Sequence, residues 1–129
     1  MRFRHKVEIV AACALVPCAL ELFPASRVLE GFRRLRRRRG DTLGAERMAH
    51  HVDRILARAP GEWRYTCLRR AAVLTALLRR DGRDAEVVFG VRRRADGSLE
   101  AHAWLRCGDE EPFLERGDVT SYQALTGTR

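Results

Sequence analysis

The sequence predicts an α+β domain in which N-terminal helices precede a small antiparallel sheet. Three observations carry this. Residues 67, 71, 74 and 78 (Cys67, Ala71, Leu74, Leu78) recur at helical spacing. Two segments rich in Val, Phe and Ala follow, Asp84 to Val91 and Leu99 to Cys107, separated by the turn sequence Ala95-Asp96-Gly97-Ser98. The order, helices first and then a strand meander, is that of an α+β rather than an alternating α/β chain.

The chain has 129 residues, enough for one domain with a real core. Its 46% hydrophobic and 33% charged content and 4 prolines exclude a disordered or collagen-like polymer. The net charge of +8 is almost entirely arginine, concentrated at Arg33, Arg34, Arg36, Arg37, Arg38 and Arg39. This run divides the chain into an N-terminal helical segment, 1–40, and a domain, 41–129, that holds the chemistry.

Within the N-terminal segment, the uncharged stretch from Ile9 to Leu20 is 12 residues long, short of the roughly 20 that span a bilayer. It reads as a helix that packs on the domain or lies on a membrane surface. Leu29, Phe32 and Leu35 continue an amphipathic pattern suited to interfacial docking. A second helix is expected over about Ala45 to Arg58, capped by Asp41 or Thr42, with Met48, Val52, Ile55 and Leu56 on one face. The Cys67 helix follows, with Thr66 as N-cap and Asp81-Gly82 as stop. A third short strand is expected over about Glu110 to Glu115.

Four cysteines, Cys13, Cys18, Cys67 and Cys107, form no CxxC pair. This disfavours a disulfide scaffold or zinc knuckle and points to a reducing compartment. Cys13 and Cys18 read as packing residues and Cys107 as an edge-strand core cysteine. Cys67 differs from these in its position. In the first turn of a helix a thiolate meets the positive end of the macrodipole and free backbone N–H groups. The same N–H groups are suited to hold an oxyanion. A buried cysteine acting as a small hydrophobe is the competing reading.

His102 lies on the second strand, where alternation groups Glu100, His102, Trp104 and Arg106 on one face and Ala101, Ala103, Leu105 and Cys107 on the other. The second set is the apolar one, so His102 points away from it, and the Cys67 helix is expected to cover the His102 face. A two-residue Gly108-Asp109 turn pairs Cys107 with Glu110 and carries His102 opposite Glu115. Glu115 then orients the imidazole, as the acid of a Cys–His–acid triad does. A one-residue change of loop puts Leu114 there instead; Asp109, Glu110, Glu111 and Asp118 are the competing carboxylates. No metal or cofactor site is expected: the candidate set His5, His50 and His51 fails because adjacent His50 and His51 diverge by about 100° on a helix.

The runs Trp63-Arg64-Tyr65-Thr66-Cys67-Leu68, Leu77-Leu78-Arg79-Arg80-Asp81-Gly82, Val88-Phe89-Gly90-Val91-Arg92 and Glu100-Ala101-His102-Ala103-Trp104-Leu105 resemble, in order and spacing, the transglutaminase-like leader peptidases of lasso-peptide biosynthesis. Leu22-Phe23-Pro24 before an arginine-rich helix is also similar to that family's leading segment. The resemblance implies a papain-like cysteine protease core with a Cys, His and Asp triad that cleaves the leader from a ribosomally made precursor peptide. Cys67 is then the nucleophile and His102 the base. The acid falls at or beside Glu115, a departure from Asp. It further implies a separate winged-helix protein that binds the leader and an ATP-using macrolactam synthetase acting afterwards. The unpaired thiols and the apolar N-terminal segment, taken by themselves, point to a cytoplasmic setting with peripheral membrane contact. Trp63 to Tyr65 offer no amide side chain for an oxyanion hole, which leaves backbone or indole N–H groups.

Two other readings stand beside this one. An amidase or acyltransferase would use the same Cys–His pair, because an acyl-enzyme passes to water or to an amine. A basic nucleic-acid-binding module would account for the arginine run, but Phe32 alone interleaves it with an aromatic and no reader motif follows. The expected partners therefore exclude nucleic acid.

Overall fold

A computed structural model of the chain describes residues 3–35, 44–58, 67–115 and 119–126. Four helices, α1 (Phe3–Leu22), α2 (Ala25–Phe32), α3 (Ala45–Ala57) and α4 (Cys67–Arg80), precede four strands, β1 (Ala85–Arg93), β2 (Leu99–Cys107), β3 (Glu110–Phe113) and β4 (Gln123–Thr126). The sheet is antiparallel in the order β3-β2-β1-β4. The expected α+β order is the one observed.

Helix α4 is the centre of the molecule. Its residues from Arg70 to Leu78 are all buried, so it makes contacts on every side, with α1, α2 and α3 around it and β1 and β2 beneath. It ends in a Schellman motif: Arg83 N–H donates to the Leu78 carbonyl at 3.0 Å and Gly82 N–H to Arg79 at 2.9 Å. That closure needs the left-handed backbone that Gly82 adopts, with φ 81°. Helix α3 buries Met48, Ala49, Val52 and Leu56 against α4, with Ile55 partly buried alongside. Gly44 is its N-cap; the expected caps Asp41 and Thr42, like Thr66 before α4, lie outside the described residues.

Helix α1 spreads its apolar residues around its circumference, with Pro17 among the buried ones. One face, Ile9, Cys13 and Val16, joins the same core as α3 and α4, while Phe3, Val7, Val10, Leu15 and Leu22 on the same helix are exposed. Cys13 is the packing residue anticipated; Cys18 is exposed instead. The stripe assigned to interfacial docking also resolves differently. Phe32 is buried and Leu29 packs on the core, so these two side chains are consumed internally, while Leu35 is exposed. Arg33 caps α2 and faces Glu86 at 3.5 Å; Arg36 to Arg39 lie outside the described residues. Among the described residues no helix is long and apolar enough to cross a membrane.

The two faces of the sheet carry separate apolar clusters. Ala85, Val87, Ala103 and Leu105 belong to the helical core, whereas Val88 and Trp104 form a second cluster with Val119 and Tyr122. Pairing of Gly90 with His102 and Val88 with Trp104 places these four residues on the second face. The body of α4 therefore covers the face opposite His102, contrary to the sequence-based expectation. The reason is elementary: the apolar residues Ala103 and Leu105 are the surface on which an apolar helix gains burial.

Candidate active site

His102 is half-buried in the middle of β2, in an aromatic setting. Its ring stacks on Trp104 with centroids 6.1 Å apart and leans on Tyr122 at 5.3 Å. Gly90, directly opposite His102 on β1, makes this arrangement possible, because the Trp104 ring occupies the space a Cβ would need. Trp104 is fixed at its polar end as well, its indole N–H donating to Glu111 at 3.3 Å. A buried indole that is satisfied this way holds one rotamer and supports the imidazole beside it.

Glu115 reaches His102 from the segment after β3. Its Oε2 lies 3.4 Å from His102 Nε2. With Nε2–H donating to the carboxylate, Nδ1 is the nitrogen left to accept a proton. The route by which Glu115 arrives differs from simple hairpin pairing. The Gly108-Asp109 turn does pair Cys107 with Glu110, and Gly108 has φ 58°. One extra residue then enters β3 opposite Arg106, so that Leu105 pairs with Phe113 and the strand stops there. Pro112 sits in that bulge, where the lack of an N–H is harmless. Leu114, at φ 57°, then turns the chain back. A left-handed leucine costs about 1–3 kcal/mol and persists only when its surroundings hold it.

Cys67 opens α4, half-buried. Together with Leu68, Phe89, Val91, Ala101, His102 and Leu125 it lines a cleft of about 480 Å³. Burial first, then the hydrogen bond to Glu100, push the Tyr122 phenol above its ordinary value. No hydrogen bond joins the thiol to the imidazole among the described residues. The structure brings His102 and Glu115 together directly, and Cys67 and His102 to the walls of one cleft. Trp63 to Tyr65, the segment considered for an oxyanion hole, lies outside the described residues.

Around this centre is a polar rim that the sequence did not disclose. Arg92 grips Glu100 at 2.9 Å and lies over the Tyr122 ring at 4.7 Å, and Tyr122 O–H donates to Glu100 at 3.1 Å. The Arg92 hydrogen bond, followed by that of Tyr122, holds the Glu100 carboxyl below its ordinary range. Tyr122 enters from the approach to β4, four residues too short and too mixed to register as a strand. Among the described residues no group of three His, Cys, Asp or Glu side chains is placed to hold a metal ion.

A cysteine opens the central helix of this α+β domain, and a histidine on the adjoining sheet meets a carboxylate from the segment after β3. Residues 12–127 match the transglutaminase-like superfamily, and the chain belongs to it. No curated protein and no solved structure matches the chain significantly.

Proposed function

We propose that the protein is a cysteine peptidase that removes the leader from a ribosomally made lasso-peptide precursor through Cys67, His102 and Glu115. The observation that carries the reading is the His102–Glu115 contact through Nε2, which frees Nδ1 as the base, on a cleft that Cys67 also lines. Membership of the transglutaminase-like superfamily supports thiol chemistry, and the sequence blocks around Cys67 and His102 support the leader-peptidase branch.

In this mechanism His102 Nδ1 takes the Cys67 proton as the sulfur attacks the scissile carbonyl. Substrate binding draws thiol and imidazole together across the cleft, as hydrogen bonds that are long in free enzymes tighten in the complex. Backbone N–H groups at the start of α4 face the developing oxyanion. The imidazolium, steadied by Glu115, returns the proton to the leaving amine. Water, deprotonated by the same nitrogen, then releases the acyl group and restores the thiol.

A separate winged-helix protein presents the leader in this scheme, the macrolactam synthetase takes the released core peptide, and the reaction is cytoplasmic. The exposed apolar side of α1 is suited to a peripheral contact with such a partner or with lipid. The amidase or acyltransferase reading uses the same acyl-enzyme chemistry; an amidase differs in the amide it cleaves and an acyltransferase in passing the acyl group to an amine. Mass spectrometry of precursor incubated with the protein and the leader-binding partner in H₂¹⁸O tests both. Leader release with one ¹⁸O in the new carboxylate is the expected result. An amine-capped product favours acyl transfer, and an untouched precursor refutes the peptidase.

A further inference from the structure

Arg70 lies one turn after Cys67 on α4 and is 5% exposed. A guanidinium this deep demands acceptors for its donors. Its Nε donates to Asp53 of α3 at 2.8 Å, and an Nη donates to the Leu114 carbonyl at 2.6 Å. The first bond balances charge. The second holds a backbone oxygen in the segment after β3, at the left-handed residue that immediately precedes Glu115.

From this geometry we propose that Arg70, clamped by Asp53, is a positioning residue that sets Glu115 against His102 Nε2. The chain of contacts is continuous: Asp53 fixes the guanidinium, the guanidinium fixes the Leu114 carbonyl, and the peptide that carries this carbonyl delivers the Glu115 carboxylate to within 3.4 Å of the imidazole. The planar fork of arginine suits the task, since one group meets two acceptors in different directions, which a point ammonium cannot do with the same geometry. The device also ties the acid to the helix that bears Cys67, so that the proposed nucleophile and acid share one rigid support.

The catalytic meaning of this assignment rests on the peptidase reading; the positional claim does not, and the two are tested apart. The measurement is the His102 tautomer by ¹⁵N NMR, in the full chain. Wild type is expected to show Nε2–H as the dominant form, and Glu115→Gln to weaken that preference. The double variant Asp53→Leu/Arg70→Met removes both buried charges together, a replacement that keeps such cores folded, and Arg70→Lys retains the charge if the double variant does not fold. Either folded variant is expected to weaken the Nε2–H preference as Glu115→Gln does. Cleavage kcat should fall on the order of 10²-fold with KM nearly unchanged, as for a displaced catalytic group. An unchanged tautomer in folded variants overturns the proposal and leaves Arg70–Asp53 as a core ion pair. A shifted tautomer in protein that cleaves nothing, wild type included, upholds the positioning and removes the peptidase.

Discussion

Substituting Gly90 by alanine tests the aromatic setting of His102 with one methyl group. A Cβ built there would lie 2.6 Å from Trp104 Cζ3 and 3.1 Å from the Gln123 carbonyl of β4. Normal contact needs the ring to retreat by about 1 Å, yet Trp104 is 4% exposed and packed with Val88, Val119 and Tyr122. Overpacking of this kind costs about 1–3 kcal/mol, and losing the indole bond to the Glu111 carboxylate adds about 1.5 kcal/mol. Replacing glycine within a strand returns about 0.5–1 kcal/mol. The net is a destabilisation of about 2–3 kcal/mol, which for 129 residues lowers Tm by about 7–11 °C. Calorimetry of wild type, Gly90→Ala, Trp104→Leu and the double variant forms a cycle in which the alanine should cost much less once the indole is gone. A Tm within 2 °C of wild type for Gly90→Ala, or equal penalties in both backgrounds, would refute the packing argument.

Other consequences are more local. Burial, followed by the nearby Asp53 charge, pushes the Cys13 thiol from 9.0 up to about 11. Because the folded value is the higher, stability is lost as pH rises from 9 through 11, by up to about 3 kcal/mol; urea melts of Cys13→Ala should lack this alkaline decline. Alkylation under native conditions should label Cys18 and spare Cys13, the exposed and buried cysteines of α1, and mass mapping that finds Cys13 modified first would contradict the packing of α1. Gly82→Ala forces a side chain onto φ 81° at the end of α4. A loss of about 1 kcal/mol in chemical denaturation is expected.

How much of this was legible in the sequence depended on the range of the interaction. The helices around Met48, Val52 and Leu56 and around Ala71, Leu74 and Leu78 follow from periodicity because the core sees one side chain every turn. The stop at Gly82 follows from backbone chemistry. The hairpin at Gly108 is likewise local, and its first pair, Cys107 with Glu110, forms as the turn dictates. What lay beyond reach was the bulge at Pro112 and the reversal at Leu114, which together decide where Glu115 goes. Arg70 was invisible for a related reason. An arginine between Arg69 and Ala71 looks like any helix-surface charge until α3 supplies Asp53 and a distant loop supplies a carbonyl. The side of the sheet that α4 covers is set by the apolar pair Ala103 and Leu105 and not by the histidine on the opposite face.

In the proposed mechanism Cys67, with His102 as base, carries out acyl chemistry on a peptide. Intact-mass and product analysis of precursor cleavage by wild type, Cys67→Ala and His102→Ala, each verified as folded by circular dichroism, tests it most directly. A covalent acyl adduct on Cys67 and leader release are expected in wild type, with turnover reduced on the order of 10⁴-fold or more in both variants. Cleavage that persists in Cys67→Ala, or an adduct that forms on another cysteine, would contradict it.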